Sequence, residues 1–415
     1  MAVEIISVGS KFILQDYRDG GIATIASQLL ETGIEVDYVS VVSSQESRLE
    51  EILRQAIQRS AFIFVLGGEG SGEYDVAKKL LTRVLKKRLV LNYKVLDRIK
   101  AGFQERGEMM PRMAEKQALV PTDAEILDGE NGRVAGFLFT YEQIHVVLLP
   151  DNPQQIGRML QQHILPRLNP KTFRTGSANG FIFKTCGLSH TAIKDYLRGI
   201  ERGDRPPSLN YVIDGEETSI IVTVKGDIQT DVNNRLKSVK SKIRKKLGNY
   251  LYGTGSQSLE EVVGKLLMQQ NATLALAESC TGGLIAHKLT NVPGSSQYFE
   301  RGVVSYSNEA KISLLDVSPN ILEEHGAVSA ETAISMAEGI RWIAQTSYGL
   351  AVTGIAGPSG GTPTKPVGLV YIALAVNGAE TQWKKYQFSG DRISVKTSTA
   401  QTALNMLRHQ LLTEQ

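Results

Sequence analysis

The sequence predicts an α/β protein of more than one domain, on three observations. A chain of 415 residues is too long for a single ordinary hydrophobic core. Over residues 1–170, apolar strand segments alternate with amphipathic helical segments, the rhythm of a doubly wound parallel sheet. In the carboxy-terminal part, strands run repeatedly into turns rich in Ser, Asn or Gly. Polar side chains are thereby delivered to strand ends, where ligands of open α/β sheets bind.

The elements of residues 1–170 follow in order. Val3 to Val8 alternates as a strand, Ile22 to Thr32 is a helix closed by Gly33, Glu35 to Val42 a strand, and Arg48 to Arg59 a helix. Ala61 to Leu66 is apolar throughout, as a buried strand must be, and Gly67-Gly-Glu-Gly-Ser-Gly72 separates it from a basic helix over Asp75 to Lys87. That glycine run fits neither G-x-G-x-x-G nor a Walker loop, so a turn needing positive φ is favoured over a phosphate cradle. Lys78, Lys79, Arg83, Lys86, Lys87 and Arg88 read as a solvated helix face.

A smaller α+β unit spans residues 171–252. Ala192 to Arg198 is a helix, Ser219 to Val224 a strand after the turn Asp214-Gly215, and Asp231 to Leu247 a helix. In that last helix Val232, Leu236, Val239, Ile243 and Leu247 recur at helical spacing among lysines and arginines. No G-x-x-G loop and no exposed aromatic series accompanies the basic face, so no nucleic-acid partner is expected. The linker Gly253 to Ser258 leads into a domain over 257–415, whose first helix, Leu259 to Gln269, carries Ser258 and Glu261 as a capping box.

Composition narrows the class. The formal net charge of +3 is small for this length and gives no general case for nucleic acid or a membrane surface as partner. Cys186 and Cys280 fall in different domains and make neither a disulfide framework nor a metal cluster, which fits a reducing cytoplasm. The first residues lack a leader's basic flank and apolar core, and no apolar run is long enough to span a bilayer, so a cytoplasmic protein without membrane association is expected.

The chemistry concentrates in the last domain. Ala272 to Gly283, ATLALAESCTGG, runs an apolar strand into a turn and then a helix from Leu284, offering Ser279 and Thr281 at a strand end, with Gly282 and Gly283 beside them. Helix capping and a tight turn explain the same residues equally well. Arg301 to Lys311 repeats the pattern and brings Tyr306, Asn308 and Lys311 to a second strand end. The third stretch, Tyr348 to Gly361, opens through Gly354 and Gly357 into a long glycine loop of the kind that covers a ligand. Helices are expected over Ala330 to Gln345 and from about Ser394 to Leu412, with Arg392 just before the latter as a phosphate anchor or a surface ion pair. The six histidines include no H-E-x-x-H pair, so His287 and His325 read as packing or surface residues and no metal is required.

ESCTGG, the YSNEAK box, GAVS (Gly326 to Ser329), TGIAGPSGG with KPVG (Lys365 to Gly368) and Gly390-Asp391-Arg392 resemble, in order, the carboxy-terminal domain of the CinA family. The resemblance implies an α/β/α domain that deamidates nicotinamide mononucleotide to nicotinate mononucleotide and ammonia without a cofactor, in pyridine-nucleotide salvage. It places the family's serine, tyrosine and lysine on Ser279, Tyr306 and Lys311, with Thr281, Gly282, Gly283, Asn308, Gly354, Gly357 and Arg392 at the nucleotide. Ser279 would attack, Lys311 would accept its proton, Tyr306 would relay or orient that proton, and N–H groups of the turn would hold the oxyanion. Two rivals stand beside this: a thiol mechanism through Cys280, and a non-catalytic nucleotide-sensing or partner-binding protein. A homodimer is expected.

Residues 1–170 resemble the family's molybdopterin-binding-like amino-terminal domain, which implies a metal-dependent ADP-ribose pyrophosphatase, and 171–252 its KH-like linker. The pyrophosphatase boxes are eroded. Lys11 stands where the family has glutamate, Tyr74 where it has aspartate, and Gln155 where it has glutamate. Replacing carboxylates by neutral groups and an ammonium removes the oxygen ligands a divalent ion needs, so neither metal nor activity is expected there.

Overall fold

The computed structural model describes residues 2–9, 20–32, 34–67, 71–105, 107–128, 134–168, 177–226 and 228–413. It packs as two compact units, residues 1–181 with 223–237, and residues 182–222 with 238–415.

In the first unit six strands form one sheet in the order Tyr38–Val42, Ala2–Val8, Ser60–Gly67, Ile144–Pro150, Val134–Tyr141, Ala124–Asp128. The first four run parallel, as the β-α-β rhythm predicts. The last two run antiparallel, because Glu142 and Gln143 alone join Val134–Tyr141 to Ile144–Pro150, and a two-residue connection cannot return a strand in parallel. Alternation along the central strands fills both faces: Ile6, Val8, Ile63 and Val65 on one side, Val3, Ile5, Phe62 and Phe64 on the other. Lys78 departs from the solvated face expected of its helix, Ser71–Val84. It is buried, with Nζ 3.3 Å from Asp75 Oδ1 and donating to the Lys116 carbonyl at 3.3 Å. Lys79 and Arg83 pair with Glu46 of the helix Glu46–Arg59.

Four strands in the middle of the chain form a sheet in the order Ser208–Asp214, Glu217–Gly226, Ser177–Cys186, Leu251–Thr254. Val232, Leu236, Val239, Ile243 and Leu247 of the helix Gln229–Leu247 are all buried, as their spacing requires.

The last domain is a five-stranded mixed sheet in the order Phe299–Val304, Leu274–Glu278, Tyr348–Gly354, Leu369–Val376, Gln382–Gln387. The first three strands are parallel and the last two antiparallel. Leu274, Leu276, Leu350, Val352, Ile372 and Leu374 face the helices Leu259–Gln269, Leu284–Thr290 and Arg392–Thr413. Ala275, Ala277, Ala351, Ala373 and Ala375 face the helix Ala330–Ala344. The alanine face lets that helix approach closely, and a Cβ on Gly349 would stand 2.2 Å from the Ala337 carbonyl. The result is a three-layer α/β/α domain with its parallel strand ends aligned.

Candidate active site

The strand Leu274–Glu278 ends in a turn that needs left-handed backbone at two successive positions, Gly282 at φ 60° and Gly283 at φ 91°. Ser279 is pinned at its start, its N–H donating to the Val352 carbonyl at 3.0 Å, and its side chain is almost wholly buried. Glu278, which the sequence reading passed over, is fully buried behind it. Its carboxylate accepts from the N–H groups of Gly283 (3.0 Å), Ile285 (3.1 Å) and Ala286 (2.8 Å), the orphan donors at the start of the helix Leu284–Thr290. An acid just ahead of a helix start was the available signal.

This narrows the donors the turn can offer. Gly283 is taken by Glu278 and the Gly282 N–H donates to the Ser279 carbonyl at 3.1 Å, so neither is free for an oxyanion. Among the described residues the Thr281 N–H has no acceptor, and the Cys280 N–H faces only its own thiol. Thr281 is fully buried, and its Oγ1 likewise has no partner.

At the neighbouring strand end, Ser307 caps the helix Asn308–Leu315 by accepting from the Ala310 N–H at 3.1 Å, which turns Lys311 inward from the first turn. Lys311 is 1% exposed. Its Nζ donates to the Ser305 carbonyl at 2.8 Å and lies 3.2 Å from Ser279 Oγ, while no carboxylate pairs with it among the described residues. Burial holds its amine below the usual lysine range, against a smaller opposing effect of Cys280. An amine that spends one N–H on a carbonyl and is driven toward the neutral form can accept the serine proton. Cys280 is also buried, and burial pushes its thiol up to about 12, which disfavours the thiolate a nucleophile needs.

Tyr306 does not join this pair. It is 62% exposed, and its hydroxyl accepts from Arg392 Nη2 at 2.8 Å instead of contacting Ser279 or Lys311, which corrects the expected proton relay. The reason lies in the strand end. Just past the strand, Ser305 is fully buried with its carbonyl turned in to Lys311, and the next residue, Tyr306, stands in solvent. Arg392 also donates from Nη1 to the Gly357 carbonyl at 2.8 Å, tying Tyr306 to the glycine loop. Gly357 has φ 81° and is buried, whereas Gly354 is required by the sheet, since a Cβ there would stand 2.7 Å from the Leu369 carbonyl. Asn308 is exposed at the helix start. Beside Arg392 a cavity of about 240 Å³ is lined by Ala356, Pro358, Val367, Gly390, Asp391 and Ile393.

In the amino-terminal unit, Lys11 and Glu69 lie outside the described residues. Tyr74 packs against the apolar core with a buried hydroxyl that has no partner among the described residues, the retained Asp75 faces Lys78, and the Gln155 N–H donates to Asn152 Oδ1 as part of a helix cap. Among the described residues no three His, Cys, Asp or Glu side chains group as a metal site needs, and no helix is long and apolar enough to cross a membrane.

Among solved structures, two are similar to part of this chain. The competence/damage inducible protein CihA from Agrobacterium tumefaciens is 37% identical over 38% of this chain and 97% of its own, with a TM-score of 0.36. The competence damage-inducible protein A from Klebsiella pneumoniae is 33% identical over 38% and 99%, with a TM-score of 0.36. Family models match three successive segments: a probable molybdopterin binding domain over 4–170, the damage-inducible protein CinA KH domain over 182–253 and the CinA C-terminal domain over 256–411. A CinA-like protein of Dictyoglomus thermophilum is 36% identical over 412 residues, 99% of this chain and all of that one. With that match running the whole length and three domain models in the family's order, the chain belongs to the CinA family.

Proposed function

We propose that the carboxy-terminal domain deamidates nicotinamide mononucleotide by an acyl-serine mechanism. The observation that carries this reading is the buried lysine without a carboxylate, its Nζ 3.2 Å from Ser279 Oγ. Lys311 accepts the hydroxyl proton as Ser279 Oγ bonds to the carboxamide carbon. The negative charge that develops on the carbonyl oxygen is met by the N–H groups of Cys280 and Thr281, a single donor of this kind contributing about 3 to 4 kcal/mol. Lys311 returns the proton to the amide nitrogen, the C–N bond breaks and ammonia leaves. Water, deprotonated by the same amine, then attacks the acyl carbon, the C–Oγ bond breaks, and Lys311 returns the proton to Ser279 Oγ as nicotinate mononucleotide leaves. Tyr306, held by Arg392, closes the exposed side and orients the substrate.

No step draws on a metal or a cofactor. For the amino-terminal domain we propose a scaffold without a bound divalent cation. Its retained aspartate is matched to a lysine and its neighbouring acid is replaced by a buried phenol. The experiment that tests the main reading is an ammonia-release assay on nicotinamide mononucleotide with the full chain and no added metal. Stoichiometric ammonia and nicotinate mononucleotide are expected. Their absence at high enzyme concentration sinks it.

A further inference from the structure

We propose that Lys396 binds the phosphate of the nucleotide, an inference that rests on the deamidase reading of the same turn. A Cβ built on Gly282 would have a single heavy atom from elsewhere in the chain within 4 Å, Lys396 Nζ at 3.7 Å. That side of the Gly-Gly turn is therefore open space roofed by an ammonium. Lys396 is half-buried and has no hydrogen-bond or ion-pair partner among the described residues.

Two features of its placement suit an anion. Arg392 lies four residues earlier on the same face of the helix Arg392–Thr413, so two cations stand one turn apart. The closest acid in sequence, Asp391, is committed elsewhere, its Oδ1 accepting from the Ser394 N–H at 2.8 Å and hydroxyl at 2.7 Å.

Other anchors in the site already have partners. Glu278 fills the start of the helix Leu284–Thr290, and Arg392 uses N–H groups on Gly357 and Tyr306. The fully buried Thr281 Oγ1, in the same turn and without a partner, supplies a further polar group for a bound ligand. Among the described residues Lys396 is thus a cation without a protein partner beside the turn, while Arg392 ties Tyr306 to the loop.

The test compares Lys396→Met, Lys396→Arg and Arg392→Ala on nicotinamide mononucleotide and on its riboside, which lacks the phosphate. Lys396→Met is expected to raise KM for the nucleotide roughly 10- to 100-fold with kcat within about threefold, to leave the riboside unchanged, and to be largely rescued by arginine. Arg392→Ala is expected to impair both substrates alike. Equal losses on both substrates in Lys396→Met, or an unchanged KM, would overturn the proposal. If wild type releases no ammonia, the deamidase reading fails separately. Calorimetric titration with inorganic phosphate then decides: binding by wild type that Lys396→Met abolishes supports the site, and equal or absent binding refutes it.

Discussion

Lys78 and Lys311 are both buried lysines on helices that follow a sheet strand, and their surroundings set them to opposite uses. Lys78 faces the Asp75 carboxylate and a backbone carbonyl, so its charge is matched and the pair is part of the framework. Lys311 faces a hydroxyl and a carbonyl, so burial is not compensated and the neutral amine is favoured. The same division runs through the two halves of the chain. Among the described residues, Lys311 in the carboxy-terminal domain has no carboxylate partner, whereas in the amino-terminal unit Asp75 is paired, Tyr74 is packed and the Gln155 N–H serves a helix cap.

The largest effect that would break this comparison is at the nucleophile. Ser279→Ala is expected to lower ammonia release by at least about three orders of magnitude, with Cys280→Ala retaining most of it. The reverse outcome would transfer the reaction to the thiol.

Lys311 comes next. Lys311→Arg keeps a charge that cannot be lost, and Lys311→Met removes the base, so each is expected to cost about 10²- to 10⁴-fold in kcat. In the wild type kcat/KM should rise with pH through an ionisation lying below 10.5, the ordinary lysine value, and that limb should vanish in Lys311→Met. The stability sign follows from the same shift. A lysine whose folded pKa is depressed weakens the fold at low pH, and stability recovers as pH rises from the folded value toward 10.5. Lys311→Met should therefore unfold at a higher temperature than wild type at neutral pH; a clear fall would show that the amine stabilises the fold, against a depressed folded pKa.

Lys78→Met sharpens the contrast from the other side. It leaves a half-exposed Asp75 without its partner and is expected to lower stability by about 1 to 2 kcal/mol in denaturant unfolding, with no change in ammonia release. A stabilised Lys78→Met would mean that the two lysines are alike.

The smallest effect belongs to the amino-terminal domain. The wild-type chain is expected to release no AMP from ADP-ribose with added magnesium or manganese, and restoring Lys11→Glu, Tyr74→Asp and Gln155→Glu together should raise that rate from its background. Enzyme-like hydrolysis by the wild type would refute the scaffold reading.

What the sequence determined by itself are the features that close within a few residues. The Ser258–Glu261 capping box forms in both directions, Ser307 caps its helix, and the buried stripe of Gln229–Leu247 follows its spacing, because each depends on local geometry and periodicity. The glycines of the turn after Ser279 belong to the same class, since positive φ is a local demand. Tertiary structure decided which polar side chains meet. Lys311 reaches Ser279 across 32 positions and Arg392 reaches Tyr306 across 86, contacts fixed by which strands lie side by side in the sheet. Arg408, in a helix whose polar residues invite a solvated reading, is instead buried and donates to the Asn249 carbonyl at 2.6 Å. A charged residue reads the same in sequence whether it faces water, an acid or a hydroxyl. Only the packed chain assigns its partner and, through desolvation, its protonation state.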